Sequence, residues 1–574
     1  MNRLLKLLEK LTTSIEEAPT SLMIWVTSFT GIIVIRILVE GWISGFRNKS
    51  STFIFYEFTH NFLFFLISFL LFLFLLNKIL KVKLSKLSNV ILWGFLIILT
   101  PPIVDNIISK GAGFWSFYKF DGILGLIKRF LTFFGDKPEI GITYGVRFEI
   151  AIVTALLTIY AFVKIKSRTK KNKPAFFYSL ITALSSYALF FILGTFPSYV
   201  TIIFEGIKKG FFKISEVDVA QMFLTPISIF SREISEITSV FNFKMSLIYV
   251  LVFSFLLIAG MFLYQKEKFL SFLKNIRPPQ IIYHLGLLLA GLGLGIITNS
   301  SSVVNYFNFF NIIGFMVLAE SVILAWLASV IVNDIVDRKI DEKTNASRPL
   351  IQKYFSENEY KTIGILLFFS SLLFSSIVNI KFALLLIAYQ VIAWIYSAWP
   401  LRLKRFAFLS TFVSAFASLM IFFGGYILSS PSQDLSGLPK TIIILLVIAY
   451  TLSLPIKDFK DTGGDREDQV YTVPVIFGEY WGKIIVGSGI FLSFLLSVVL
   501  LNDFRLFWWA IIFGGISFWL VNKMASTKSN ISFTDLIKNP GLITKVGINY
   551  RNIFWWMLGI VFIYLIIISL TILK

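Results

Sequence analysis

The chain has 574 residues, a formal net charge of +21, no cysteine and only two histidines, His60 and His284. A mean hydropathy of +0.80 with 56% hydrophobic residues excludes an ordinary water-soluble enzyme of this length. The lack of cysteine excludes disulfides, thiolate catalysis and thiolate-bound metals, and two histidines make a zinc site improbable.

From the N-terminus, residues 1–19 read as a short amphipathic interfacial helix without the apolar core of a signal peptide. Apolar runs long enough to cross a bilayer follow at 21–39, 53–76, 90–108, 148–163, 176–203 and 245–264. The second half continues with 281–298, 309–332, 363–380, 382–399, 408–426, 441–455, 484–501, 507–520 and 553–573. The expected fold is an all-α polytopic membrane protein, with about six spans in a first domain and about nine in a second.

Basic connections at 78–86, 164–173, 266–277, 338–361, 402–405, 457–466 and 523–551 all fall on one side of these spans. Intervening loops such as 299–308 and 429–438 are nearly free of charge. The positive-inside rule puts the basic side in the cytoplasm. That placement also fits anionic lipid headgroups, and no basic–aromatic module for nucleic acid is present. The long loops 109–147 and 204–244 are expected to contain interfacial or re-entrant helices, and Asp105, Arg147 and Glu149 to pair across the first. Pro278–Pro279 cannot continue a helix and suggests a division into 1–267 and 268–574. The first half offers no chemical motif and reads as an accessory membrane domain.

The second half does offer motifs. NDIVDRKIDEKTNASRPL (333–350) follows an apolar run, and its Asp334, Asp337 and Asp341 recur at i, i+3 and i+7, on one helix face. KDFKDTGGDRED (457–468) repeats the pattern with Asp458, Asp461, Asp465 and Asp468. Carboxylates packed this closely repel one another unless a cation sits among them. Two such helix ends at one membrane face suggest hard divalent cations, since Mg²⁺ is usually held by carboxylates together with substrate phosphates.

These motifs resemble the UbiA superfamily of intramembrane prenyltransferases. Asn333, Asp334, Asp337 and Asp341, then Arg348–Pro349, match its first acidic motif. Asp458, Asp461, Asp465 and Asp468, running into Thr472–Val473–Pro474 and Gly478, match its second. Tyr396–Lys404 is similar to the YSxxP…LK element between them, and Arg277–Pro278 to the family's opening. Gln469 and Trp399 depart from the common residues, and neither removes an acidic group. The resemblance covers about residues 268–574.

It implies transfer of a prenyl group from a polyprenyl diphosphate to an acceptor with Mg²⁺. Asn333, Asp334, Asp337 and Asp341 are then expected to hold one metal ion, and Asp458, Asp461 and Asp465 the other. Arg348, Lys404, Arg402 and Lys457 are expected on the diphosphate, with Tyr396 facing it or the allylic cation. Asp468 is expected outside the metal shell, and His284 to hydrogen-bond locally. An aromatic or a glycerol-phosphate-type acceptor is open at this point. Two rival readings are a polyprenyl-phosphate sugar-phosphate transferase and a cation or lipid transporter using the acidic clusters. The first usually carries a His/Lys-rich insert before the Arg–Pro pair, which 343–347 lacks; the second would favour mid-membrane acids and an inverted repeat.

Overall fold

A computed structural model describes residues 2–44, 51–135, 137–298, 307–345, 347–525, 548–550 and 552–572. Most of the basic 523–551 connection and of the charge-free 299–308 loop lies outside them. Among the described residues, fifteen helices are long and apolar enough to cross a membrane, six before residue 265 and nine after it. The chain is an integral membrane protein of α-helices. It divides into two compact units, 1–228 with 233–263, and 229–232 with 264–574.

In the first unit, the Asn2–Glu16 helix is held by its last residue. The Glu16 carboxylate is buried and accepts from Tyr160 Oη at 2.8 Å and from Lys164 Nζ at 2.5 Å. The apolar run at 176–203 is not one span. Helix Asn172–Gly194 stops, and a second helix, Phe196–Lys209, starts with Pro197 in its first turn, where a missing N–H costs nothing. The two long loops contain short helices, Ile123–Leu131 in the first and Glu216–Leu224 in the second. The pairing expected of Asp105 with Arg147 and Glu149 is not formed. Asp105 instead accepts from Thr143 Oγ1 at 2.6 Å and from the Gly145 amide at 2.7 Å, capping the Tyr144–Thr169 helix.

In the second unit, the Leu409–Ser429 helix is central: 78% of its most apolar window is buried, against 17% for the last span, 553–571. It packs on Pro278–Thr298 almost backbone to backbone. A Cβ on Gly291 would lie 2.0 Å from the Phe422 carbonyl oxygen, and one on Gly425 2.2 Å from that of Leu288. Small residues permit such an approach where lipid offers no hydrophobic drive for helix association. The helix carrying the first acidic motif runs Phe309–Val336, and a short helix, Arg338–Thr344, follows it. The second motif begins on the 3₁₀ turn Leu454–Lys460 and continues into Thr462–Glu467. The next helix, Val473–Leu500, is kinked at Gly478, whose φ of 73° and ψ of 171° suit glycine and few other residues.

Candidate active site

Both acidic motifs reach one cavity of about 390 Å³ in the second unit. The 403–405 turn is tied to the second motif by the Tyr471 amide, which donates to the Arg405 carbonyl at 3.0 Å, so Lys404 faces both motifs. Ten of the twelve residues singled out in the sequence line the cavity: Asn333, Asp337, Asp341, Arg348, Tyr396, Lys404, Lys457, Asp458, Asp461 and Asp465.

Asp334 and Arg402 do not line it. Asp334 is only 1% exposed, and its oxygens are already engaged. Oδ2 accepts from Asn275 Nδ2 at 2.5 Å and from Tyr360 Oη at 3.0 Å. Oδ1 lies 3.2 Å from Arg277 and 3.1 Å from Arg348. Arg348 also donates to Asn275 Oδ1 at 2.5 Å, closing a ring of polar side chains beneath the cavity. Arg402 was expected on the diphosphate; it bridges the two motifs, 3.3 Å from Asp337 and 2.7 Å from Asp468. Asp468 thus has an ion-pair partner outside the cavity lining.

The remaining first-motif groups are also partnered. Asp337 forms an ion pair with Lys404 as well as Arg402. Asn333 Oδ1 accepts from Ser397 Oγ at 3.3 Å. Asp341 Oδ1 accepts from Asn345 at 2.9 Å, while its Oδ2 is buried without a hydrogen bond, 3.6 Å from Arg348 Nε. Burial, with Asp334 and Asp337 nearby, raises the Asp341 pKa against the pull of Arg348.

The second motif is less satisfied. Asp461 lies 3.6 Å from Lys460. Lys457 donates to Tyr396 Oη at 2.8 Å and sits 4.8 Å from the ring centre. Burial and the charges of Asp458 and Asp461 push Asp465 up to about 7. Among the described residues no three acidic side chains close into a metal cage. The donors are nevertheless hard oxygens, one of them a buried orphan and one whose pKa is raised by burial and by its acidic neighbours. That set fits Mg²⁺, which takes a few carboxylates and completes its shell with phosphate and water.

Away from the charges the same cavity turns aromatic and apolar. His284, Trp326, Tyr389 and Tyr450 line it, then Phe494 and Phe554. His284 hydrogen-bonds locally, to the Gln280 carbonyl at 2.6 Å and to Tyr389 Oη at 3.2 Å. Two of the neighbours had little signal in the sequence: Asn275 sits in a connection that reads as merely basic, and Tyr360 just before the apolar run at 363–380, while Arg277 was marked only as part of Arg277–Pro278.

The UbiA prenyltransferase family model matches residues 288–531. The digeranylgeranylglyceryl phosphate synthase of Methanocaldococcus jannaschii is 25% identical over 171 residues, 28% of this chain and 56% of that protein. The 4-hydroxybenzoate octaprenyltransferase of Escherichia fergusonii is 28% identical over 244 residues, 40% of this chain and 81% of that one. The chain therefore spans little more than half the length of the first of these relatives. A UbiA homolog from Archaeoglobus fulgidus, solved with DMAPP and Mg²⁺, superposes with a TM-score of 0.37 at 18% identity, over 50% of this chain and 99% of its own.

Proposed function

With residues 288–531 matching the UbiA prenyltransferase family model, we propose that this protein moves a polyprenyl group from its diphosphate to an acceptor, with Mg²⁺. The acceptor is an aromatic ring or a glycerol-phosphate-type hydroxyl. The observation that carries the reading is the chemical division of one cavity. Five carboxylates and the cations Arg277, Arg348, Lys404, Lys457 and Lys460 stand at one end, and aromatic and apolar walls extend from it. A diphosphate with a hydrocarbon tail has the same division. The loop charges support a polar end at the cytoplasmic face.

Asp337, Asp341, Asp458, Asp461 and Asp465 would hold the metal, helped by Asn333. When bound, Mg²⁺ neutralises charge on the diphosphate oxygens. Arg348, Lys404 and Lys457 do the same from the protein side, as preorganised donors aimed at a leaving group that gains negative charge. The bond between C1 of the prenyl chain and its oxygen breaks, and the electron pair leaves with the diphosphate. The acceptor's oxygen or ring carbon bonds to C1, and the proton it sheds goes to the departing diphosphate. Tyr396 presents an aromatic ring to the allylic cation while the apolar walls exclude water. Asp334 and Arg402 are positioning residues: Asp334 orients Arg277 and Arg348, and Arg402 ties Asp337 to the second motif.

The test uses full-length protein with radiolabelled geranylgeranyl diphosphate and two acceptors, 4-hydroxybenzoate and geranylgeranylglyceryl phosphate, in Mg²⁺ or EDTA. Metal-dependent transfer to either one supports the reading and selects the acceptor class. Binding of the diphosphate in neither condition, with no transfer, sinks it.

A further inference from the structure

The first unit encloses a cavity of about 610 Å³, walled mostly by aromatic and aliphatic side chains. Its most unusual surface lies outside that cavity, where three separate stretches of chain meet. These are the N-terminal segment 3–17 and the connections 78–86 and 164–173. Contacts between the stretches hold them together. Glu17 pairs with Lys86, and Glu16 with Lys164 at 2.5 Å. Ser167 donates to Glu9, and Arg168 Nη1 donates to the Leu80 carbonyl oxygen at 3.2 Å.

The three stretches carry thirteen basic residues and three acidic ones. All three acids are taken up in the contacts above, whereas ten of the thirteen cations are exposed, Lys81, Lys83, Lys170, Lys171 and Lys173 among them. Membrane topology asks only for a basic excess in each loop. It does not ask that three stretches be drawn to one place, where like charges repel. In the second unit comparable cations face carboxylates, as Lys404 faces Asp337 and Arg402 faces Asp468. Here the positive charge is left over, and a surface with that much of one sign attracts anions.

Two features say which anions. The spans Ser51–Leu80 and Tyr144–Thr169 finish at this surface, and Leu84–Ile108 and Asn172–Gly194 start from it, so it lies at headgroup depth. Leu7 and Leu11, 64% and 57% exposed, stand one turn apart beside Lys6 and Lys10. Leucines among lysines suit the boundary between headgroups and acyl chains. They offer nothing to a nucleic acid, and the three stretches contain no aromatic residue on which a base could stack.

We propose that this surface binds the phosphate headgroups of anionic phospholipids in the surrounding leaflet, several at once, in preference to zwitterionic ones. The lysines and arginines take the phosphates, and Leu7 and Leu11 dip between the heads. Each cation near a charged leaflet adds a similar small increment, so number rather than any one residue builds the preference. The proposal is independent of the transferase reading, since no residue it uses belongs to the acidic motifs.

The experiment uses full-length protein in phosphatidylcholine nanodiscs doped with a photoreactive phosphatidylglycerol or with its phosphatidylcholine analogue, and the labelled peptides are mapped. The expected result is at least tenfold more label from the anionic lipid on 3–17, 78–86 and 164–173, with the excess lost at high salt. Changing the exposed Lys81, Lys83, Lys170, Lys171 and Lys173 together to Gln cuts that excess about tenfold and leaves the other peptides as they were. Equal labelling by the two lipids overturns the proposal, and so does a five-lysine variant labelled like the wild type. Label spread evenly over every basic connection, 266–277 included, is what topology alone would give, and it overturns the proposal too. Polyglutamate or single-stranded RNA that displaces the label when equimolar with the anionic lipid would assign the surface to a soluble polyanion instead. The wild-type mapping stands whether or not the variant folds.

Discussion

The two acidic motifs look alike in sequence and differ in the structure. In the first, Asp334 and Asp337 are already neutralised by the protein's own cations, Arg277, Arg348, Lys404 and Arg402. In the second, Asp458, Asp461 and Asp465 crowd one another, and among the described residues the one contact ion pair they make is the 3.6 Å approach of Lys460 to Asp461. The first motif therefore contributes architecture as well as charge. The second is where an added cation gains most.

The sharpest way to break this contrast is to neutralise the second motif. Asp458→Asn with Asp461→Asn should lower transfer at least about a thousandfold, as loss of charge stabilisation at a reacting centre commonly does. It should also abolish stabilisation by Mg²⁺ in a thermal melt. A double variant that Mg²⁺ still protects would make the two motifs equivalent.

Asp334→Ala attacks the first motif where it is most structural. It leaves two guanidiniums, an amide and a phenol facing a void, at a cost of about 3–5 kcal/mol, typical of breaking a buried ion pair. The measurement is the unfolding midpoint without metal; an unchanged midpoint would remove Asp334 from the framework.

The pH dependence sharpens the comparison further. Asp465, with a pKa of about 7, must lose its proton to bind a cation. Between pH 8 and pH 6 the affinity for Mg²⁺ should fall by about tenfold, by simple proton competition. Its raised pKa has the opposite sign for the metal-free fold: stability is full below the ordinary carboxylate range and declines as pH rises through about 7. Calorimetric Mg²⁺ titrations at the two pH values check the first part, and metal-free melts the second. In an Asp465→Asn protein both trends should flatten.

The smallest effect is expected from Asp468→Asn, which removes one end of the Arg402 bridge. A loss of about 1 kcal/mol, or a few-fold in the KM for the diphosphate, fits one charge-assisted hydrogen bond at a half-exposed site.

Much of this was legible in the sequence because it is written locally. Runs of apolar residues gave the spans; Asp spacing picked out five of the ten residues that meet at one cavity, and the family resemblance the other five. The misreadings come from longer-range packing. Asp334 has the same spacing as its neighbours, but its helix turns it toward Asn275 and Tyr360, which arrive from 59 residues before it and 26 after. Arg402 sits two residues from Lys404, yet it faces Asp468 while Lys404 faces the cavity. The span at 176–203 was overextended because its hydropathy hides Pro197. The first-unit cavity had no signature at all. Its wall is built from aromatics on many segments, each of which reads as ordinary membrane sequence.

The ion pairs on Asp337 have one more consequence. A cation that comes to this carboxylate does not find bare charge; it finds Lys404 and Arg402 in residence. On the proposed reading, loading would be an exchange in which a divalent ion replaces a resident counter-ion, and the ammonium released would be free to follow the incoming phosphate. Such a site would discriminate by valence, because a monovalent ion gains too little to evict a lysine.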